Sequence, residues 1–177
     1  RGLHDVEPGD KIGVRGTFGQ GFPFDEIKGA NVIYVAGGIG LIPLRSSIVH
    51  VLQHRADFGR ILVILGAKSS KELMYKENIE EWRRIEGFET RVTIDRPEPG
   101  WTGDVGFVHT IIEKAGIPVE NTYAFVCGPP VMFNAVIKEL RERGLPEDRI
   151  ISTLERHMKC GIGKCQHCAI GRTLVCT

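Results

Sequence analysis

No stretch of this chain is long and apolar enough to cross a bilayer. The longest run without a charge, Asn121 to Ile137, covers 17 residues and is broken by Gly128, Pro129 and Pro130; the next, Gly29 to Leu44, covers 16 and is broken by Gly29, Gly37, Gly38, Gly40 and Pro43. A spanning helix needs about 20 predominantly apolar residues. The opening, RGLHDVEPGD, lacks an apolar h-region, so no signal peptide is read there. An excess of one charge is missing too: 23 Lys and Arg stand against 22 Asp and Glu, a net charge of +1. No global field is left to hold nucleic acid. Long disorder is unsupported, because 42% of the 177 residues are hydrophobic and only 25% charged. An initiator Met is absent, so the chain is expected to have been processed or cut from something longer.

An even cysteine count is also lacking. Five cysteines do not close into a disulfide framework. Four of them, Cys160, Cys165, Cys168 and Cys176, fall within the last 18 residues. That density reads as a ligand set, and free thiolates point to the reducing cytoplasm.

Strand and helix signals alternate through the middle of the chain. NVIYVA (31–36), RILVIL (60–65), ETRVTI (89–94), TYAFVC (122–127) and RIIST (149–153) read as strands. LIPLRSSIVHVLQHR (41–55), NIEEWRRIE (78–86), DVGFVHTIIEKAG (104–116) and PVMFNAVIKELRERG (130–144) read as helices, the last with Pro130 in its first turn and Gly144 past its end. Strands this apolar, joined by helices, predict a five-stranded parallel sheet covered on both faces, a doubly wound α/β domain over residues 25–153. Residues 1–24, with a short strand at KIGVRG, read as the tail of a β-rich unit. Residues 154–177 read as a separate cysteine-bearing appendage.

Three segments carry candidate chemistry. Gly37, Gly38 and Gly40 lie between the first strand and first helix, where glycines let backbone N–H groups approach a pyrophosphate. The fingerprint G-x-G-x-x-G is not met, since Pro43 stands at the final position, and a plain tight turn is the alternative. After the second strand, Lys68, Ser69 and Lys71 suit a 2′-phosphate and lean towards NADPH; a solvated loop is the alternative. Cys127 closes the fourth strand at its carboxyl end, where open α/β sheets bind ligands. It reads equally as a group against a nicotinamide ring or as a buried core cysteine. The spacing Cys160-x4-Cys165-x2-Cys168, with Cys176 beyond, follows the plant-type [2Fe–2S] pattern. Gly161 and Gly163 free the loop to wrap a cluster. Zinc is the alternative, although zinc sites more often pair two short knuckles across a longer gap.

VAGGIGLIPLRS, VCGPPVM and LERHMKCGIGKCQHCAIGRTLVC, in that order, resemble the ferredoxin–NADP⁺ reductase superfamily. Within it they resemble the branch with a C-terminal [2Fe–2S] cluster. That branch includes sulfhydrogenase gamma subunits and the corresponding electron-transfer components of anaerobic sulfite reductase and dihydroorotate dehydrogenase. The resemblance implies that Gly37, Gly38, Gly40, Leu41 and Pro43 form the pyrophosphate loop. It implies that Cys127, Gly128, Pro129 and Pro130 form the nicotinamide-side motif, with Cys127 catalytic, and that Tyr75 packs on the adenine nucleotide. GTFGQGFP (16–23) resembles the exit of a flavin barrel.

The resemblance implies an NAD(P)H-dependent oxidoreductase subunit that passes electrons through FAD and a [2Fe–2S] cluster. The acceptor would be the catalytic partner subunit of a hydrogenase, sulfite reductase or dehydrogenase complex. This sequence departs from the family's flavin motif Arg-x-Tyr-Ser/Thr: none of Tyr34, Tyr75 and Tyr123 has an Arg two positions before it. The chain is therefore expected to be a fragment lacking most of the flavin barrel and inactive in electron transfer by itself. It is expected to self-associate, or to reorder residues, around a bared Phe18, Phe22 and Phe24. The rival reading is a zinc-stapled nucleotide-binding or regulatory module without redox activity.

Overall fold

The computed structural model describes residues 2–154 and 156–177. The chain divides into two compact units, Phe22–Leu154 and the pair of segments Arg1–Gly21 and Glu155–Thr177.

In Phe22–Leu154 the β-branched runs form β1 (Asn31–Gly37), β2 (Ile61–Ala67), β3 (Phe88–Ile94), β4 (Asp104–Val105), β5 (Thr122–Cys127) and β6 (Ile150–Ser152). They make one sheet in the order β4-β3-β2-β1-β5-β6, with every neighbouring pair parallel. The order reverses at β1, and the carboxyl ends beside such a reversal form a crevice. The helices are α1 (Leu41–Gln53), α2 (Lys76–Trp82), α3 (Val108–Lys114) and α4 (Pro130–Glu142). Tyr34, Leu44, Ile48 and Phe125 lie in the core on one face, where α1 and α2 pack. Ile33, Ile64, Val126 and Val136 lie in the core on the other, under α3 and α4. The doubly wound α/β architecture expected from the sequence is thus present. The buried hydroxyl pair inside it is satisfied, Tyr34 to Ser47 at 2.7 Å, and burial pushes the Tyr34 phenol above its ordinary value.

Two element assignments need correction. The sheet has six strands, because Asp104–Val105 pairs with Thr93–Ile94 instead of opening a helix. Gly106, at φ +118°, breaks the helical pattern. Its N–H donates to the Ile94 carbonyl at 2.8 Å, and the Thr93 hydroxyl donates to its carbonyl at 2.6 Å. Helix α3 then starts at Val108. KIGVRG (11–16) is not a strand; alternation does not make one without a partner to complete its ladder.

Phe22 and Phe24 are not bare. Phe22 meets Phe125 edge-on at 5.4 Å, and Phe24 stacks on His50 at 3.9 Å. Both pack on the α/β core.

The other unit holds one short antiparallel hairpin, β7 (Ala169–Ile170) and β8 (Thr173–Leu174), turning at Gly171, φ +58°. Among the described residues no helix is long and apolar enough to cross a membrane.

Candidate functional site

The carboxyl ends of β1, β2, β3 and β5 enclose a cleft of about 370 Å³. Two loops meet at its floor, one after β1 and one after β5. A Cβ on Gly40 would overlap the Cys127 carbonyl, and Cβ atoms on Gly37 and Gly128 would overlap the Met132 side chain. These three glycines let the loops touch. Gly38 differs: its φ is +53° and its would-be Cβ points into open space. It lines the cleft with Gly37 and Pro129. A ligand's phosphates can therefore approach the backbone at Gly38, whereas Gly40 is already occupied by protein.

Not all the sequence-predicted residues face this cleft. Lys68 lines it, just past the end of β2. Ser69 does not, and its hydroxyl donates to Glu72 at 3.4 Å. Leu41 is buried in the core. Pro43 sits in the first turn of α1, and Pro130 opens α4. Cys127 is half-buried at the end of β5, packed against the core rather than lining the cleft. Tyr75, in left-handed conformation at φ 53°, also lies off the cleft; the Arg45 guanidinium sits 5.0 Å from its ring centroid.

Other lining residues carried no clear signal in the sequence. Glu72 and Asp95 follow β2 and β3, Phe107 and His109 open α3, and Val131 and Met132 open α4. Phe107 is 60% exposed. The clue to it was Gly106, a residue costly inside a helix and informative just before one. Among the described residues Lys68 is the sole Lys or Arg lining the cleft, and the carboxylates of Glu72 and Asp95 line it too.

The four clustered cysteines lie in the other unit. The hairpin explains the long gap before Cys176. Ala169 pairs with Leu174, so Cys168 comes opposite Val175, whose N–H donates to the Cys168 carbonyl at 3.4 Å. Cys168 and Cys176 are thereby buried side by side, and the interaction between their side chains lowers the Cys168 thiol and raises that of Cys176. Cys160 and Cys165 form a second pair across a loop turned by Gly161 and Gly163, φ +72° and +73°. The Ile162 and Cys165 amides donate to Cys160 Sγ at 3.5 and 3.4 Å, and the Gly163 amide donates to Cys176 Sγ at 3.3 Å. The amide bonds, with the Cys165 thiol beside them, hold Cys160 down to about 6, in favour of thiolate.

Among the described residues no three His, Cys, Asp or Glu side chains stand grouped to hold one metal ion. The donors instead stand as two pairs. A [2Fe–2S] cluster, whose two irons would take two thiolates each, fits that donor set and its amide-to-sulfur bonds.

Comparison with known proteins places the chain. The profile of the oxidoreductase NAD-binding domain family matches residues 34–138. Sulfhydrogenase 2 subunit gamma of Pyrococcus furiosus is 38% identical, aligned over 97% of this chain and 64% of its own length. Sulfhydrogenase 1 subunit gamma of the same organism is 37% identical over 96% and 59%. The chain thus spans about three fifths of the length of these relatives. A solved NADH-dependent reduced ferredoxin-NADP oxidoreductase superposes with a TM-score of 0.69 at 28% identity, over 94% of this chain and 55% of that one. The cytochrome b5 reductase domain of Ulva prolifera nitrate reductase, at 24% identity and TM-score 0.65 over 71% of this chain and 49% of that one, shares the fold. The chain belongs to the oxidoreductase NAD-binding domain family, in the ferredoxin–NADP⁺ reductase superfamily and its sulfhydrogenase-like branch.

Proposed function

We propose that this chain is the nucleotide- and cluster-binding portion of an electron-transfer subunit. It would move electrons between NAD(P)H, FAD and a [2Fe–2S] cluster to a partner subunit of a redox complex in the cytoplasm. The observation that carries the proposal is the presence, in one chain, of a ligand-sized cleft at the sheet's carboxyl edge and two cysteine pairs with amide-bonded sulfurs. The gamma-subunit relatives support the reading, as does the reductase neighbour.

The residues have separable tasks. Gly38 offers backbone to the pyrophosphate. Gly37, Gly40 and Gly128 keep the two loops in contact so that the cleft floor stays formed. Phe107 presents an aromatic face to a base, and Cys127 ends the strand beside the nicotinamide-side loop, its thiol packed against the core. Cys160, Cys165, Cys168 and Cys176 would hold the cluster. Flavin, when bound, supplies the conversion between a two-electron hydride and the single electrons such a cluster takes. No side chain here can do this, so these 177 residues would not reduce their own cluster with NAD(P)H. Coenzyme preference falls to Lys68 against Glu72 and Asp95. One cation sharing the cleft with two carboxylates gives at most a modest preference for the 2′-phosphate.

Iron and sulfide analysis of anaerobically prepared protein tests the reading, followed by NADPH addition with and without FAD. Two irons and two sulfides per chain are expected, with no rapid bleaching unless flavin is added. One zinc and no sulfide would favour the stapled regulatory module. Fast bleaching without flavin would overturn the requirement for flavin between NAD(P)H and the cluster.

A further inference from the structure

The segment from Arg15 to Gly19 touches both ends of the cysteine set. The Arg15 guanidinium donates from Nη2 to the Cys160 carbonyl at 2.9 Å and from Nη1 to the Lys159 carbonyl at 3.4 Å. The same guanidinium sits 5.4 Å from the centroid of the Phe18 ring. That ring lies against Gly161, where any Cβ would overlap it. One residue on, the Gly19 N–H donates to the Cys176 carbonyl at 3.3 Å. The contacts thus reach the loop of the first cysteine and the strand end of the last.

We infer that Arg15 and Phe18 are positioning residues: a strap that holds the Cys160 loop against the Cys176 end, shields its Gly161 face from water, and sets a fixed positive charge beside Cys160. Two guanidinium bonds to main-chain carbonyls fix the loop directly, because those carbonyls belong to Cys160 and its neighbour. The ring explains why residue 161 is glycine: the left-handed backbone and the ring's approach both exclude a side chain. The electronic part rests on the cluster reading above. A buried or fixed cation near a cluster favours the reduced, more negative state, so Arg15 would raise the reduction potential.

The test uses the full chain carrying R15Q, R15K, F18A or F18L. In metal-free, reduced protein, alkylation of each cysteine is followed by mass spectrometry, with Cys127 as internal reference. R15Q and F18A are expected to speed alkylation of Cys160 and Cys176 by about fivefold, as local opening becomes easier. Cys127 should be unchanged, and F18L should stay near the parent. In iron-loaded protein, R15Q should lower the midpoint potential and R15K should restore most of it. Parent-like alkylation rates in R15Q and F18A would overturn the strap, whatever the iron content. An unshifted potential in R15Q would overturn the charge effect. A parent chain that takes up no iron and sulfide would overturn the cluster reading alone, leaving the strap to be decided by alkylation.

Discussion

Between Phe22 and Leu154 the chain buries both faces of a parallel sheet, and residues such as Val32, Leu44, Ile64 and Phe125 are wholly inaccessible. In the unit of Arg1–Gly21 and Glu155–Thr177 only Gly161, Cys168 and Cys176 are buried among the described residues. The first unit is held by apolar burial, worth about 1.5–3 kcal/mol for each fully buried Leu or Ile. The second has no such core. Units of about 40 residues or fewer usually need a metal, disulfides or a partner, and two of its three buried residues are the cysteines proposed as ligands. Order in one unit comes from its own side chains. Order in the other should come from the Arg15 and Phe18 contacts and, for the larger part, from what its sulfurs bind.

Removing the sulfur ligands is the strongest way to break this contrast. Cys168→Ser should abolish cluster incorporation and make residues 156–177 more readily cleaved by protease, while the α/β unit keeps its unfolding transition. A chelator should act in the same direction on the parent chain but leave partial protection, because the Arg15 and Phe18 contacts need no metal. If the α/β transition is lost together with the cluster, stability is not partitioned as argued.

The glycines sharpen the comparison within the α/β unit. Gly40→Ala forces the β1 loop off the Cys127 carbonyl and should cost about 1–3 kcal/mol by overpacking, with loss of NAD(P)H binding. Gly38→Ala meets no atoms and should cost about 1–2 kcal/mol of left-handed strain, yet should weaken NAD(P)H binding severely. Urea unfolding and ligand titration on the same preparations separate the two. A Gly40→Ala chain as stable as the parent would show that the loops are not locked by Gly40.

Smaller effects are expected around the cleft. Phe107→Ala should weaken both NADH and NADPH by about tenfold through loss of an aromatic face, with little change in stability. Lys68→Ala should weaken NADPH several-fold more than NADH, and Glu72→Gln should favour NADPH. Fluorescence titration of both coenzymes reads both effects; identical losses for the two coenzymes in Lys68→Ala would mean that Lys68 does not face the 2′ position.

The smallest effect is electrostatic. Burial opposes charge on Glu89, but hydrogen bonds and ion pairs with Arg60 and Arg91 prevail and lower its pKa. A depressed carboxylate contributes stability above its unfolded pKa, about 4.3. That contribution is lost as pH falls through the lower folded value. The stability gap between parent and Glu89→Gln should therefore be present at about pH 6 and shrink below about pH 4. Glu89 is largely solvent-screened, so the gap should be a fraction of a kcal/mol at neutral pH.

Strands, helices and both loop motifs were readable along the chain because each depends on local pattern: β-branched runs, Gly and Pro at element ends, cysteine spacing. Asp104–Val105 was not, because two residues become a strand only through pairing with β3. Phe107 and Asp95 could not be assigned to a site from their neighbours. They line the cleft because parallel strands bring distant carboxyl ends to one edge. The difference between Gly38 and Gly40 was hidden as well, since glycines two positions apart look alike until one is seen against Cys127 and the other against open space. The cysteine spacing by itself proposed a cluster. Only the folded hairpin showed why Cys168 and Cys176 stand together, and only the fold brought Arg15 and Phe18 to the Cys160 loop. Contacts between residues 144 and 145 positions apart, such as those of Arg15, leave no periodic trace in a sequence, because nothing local requires them.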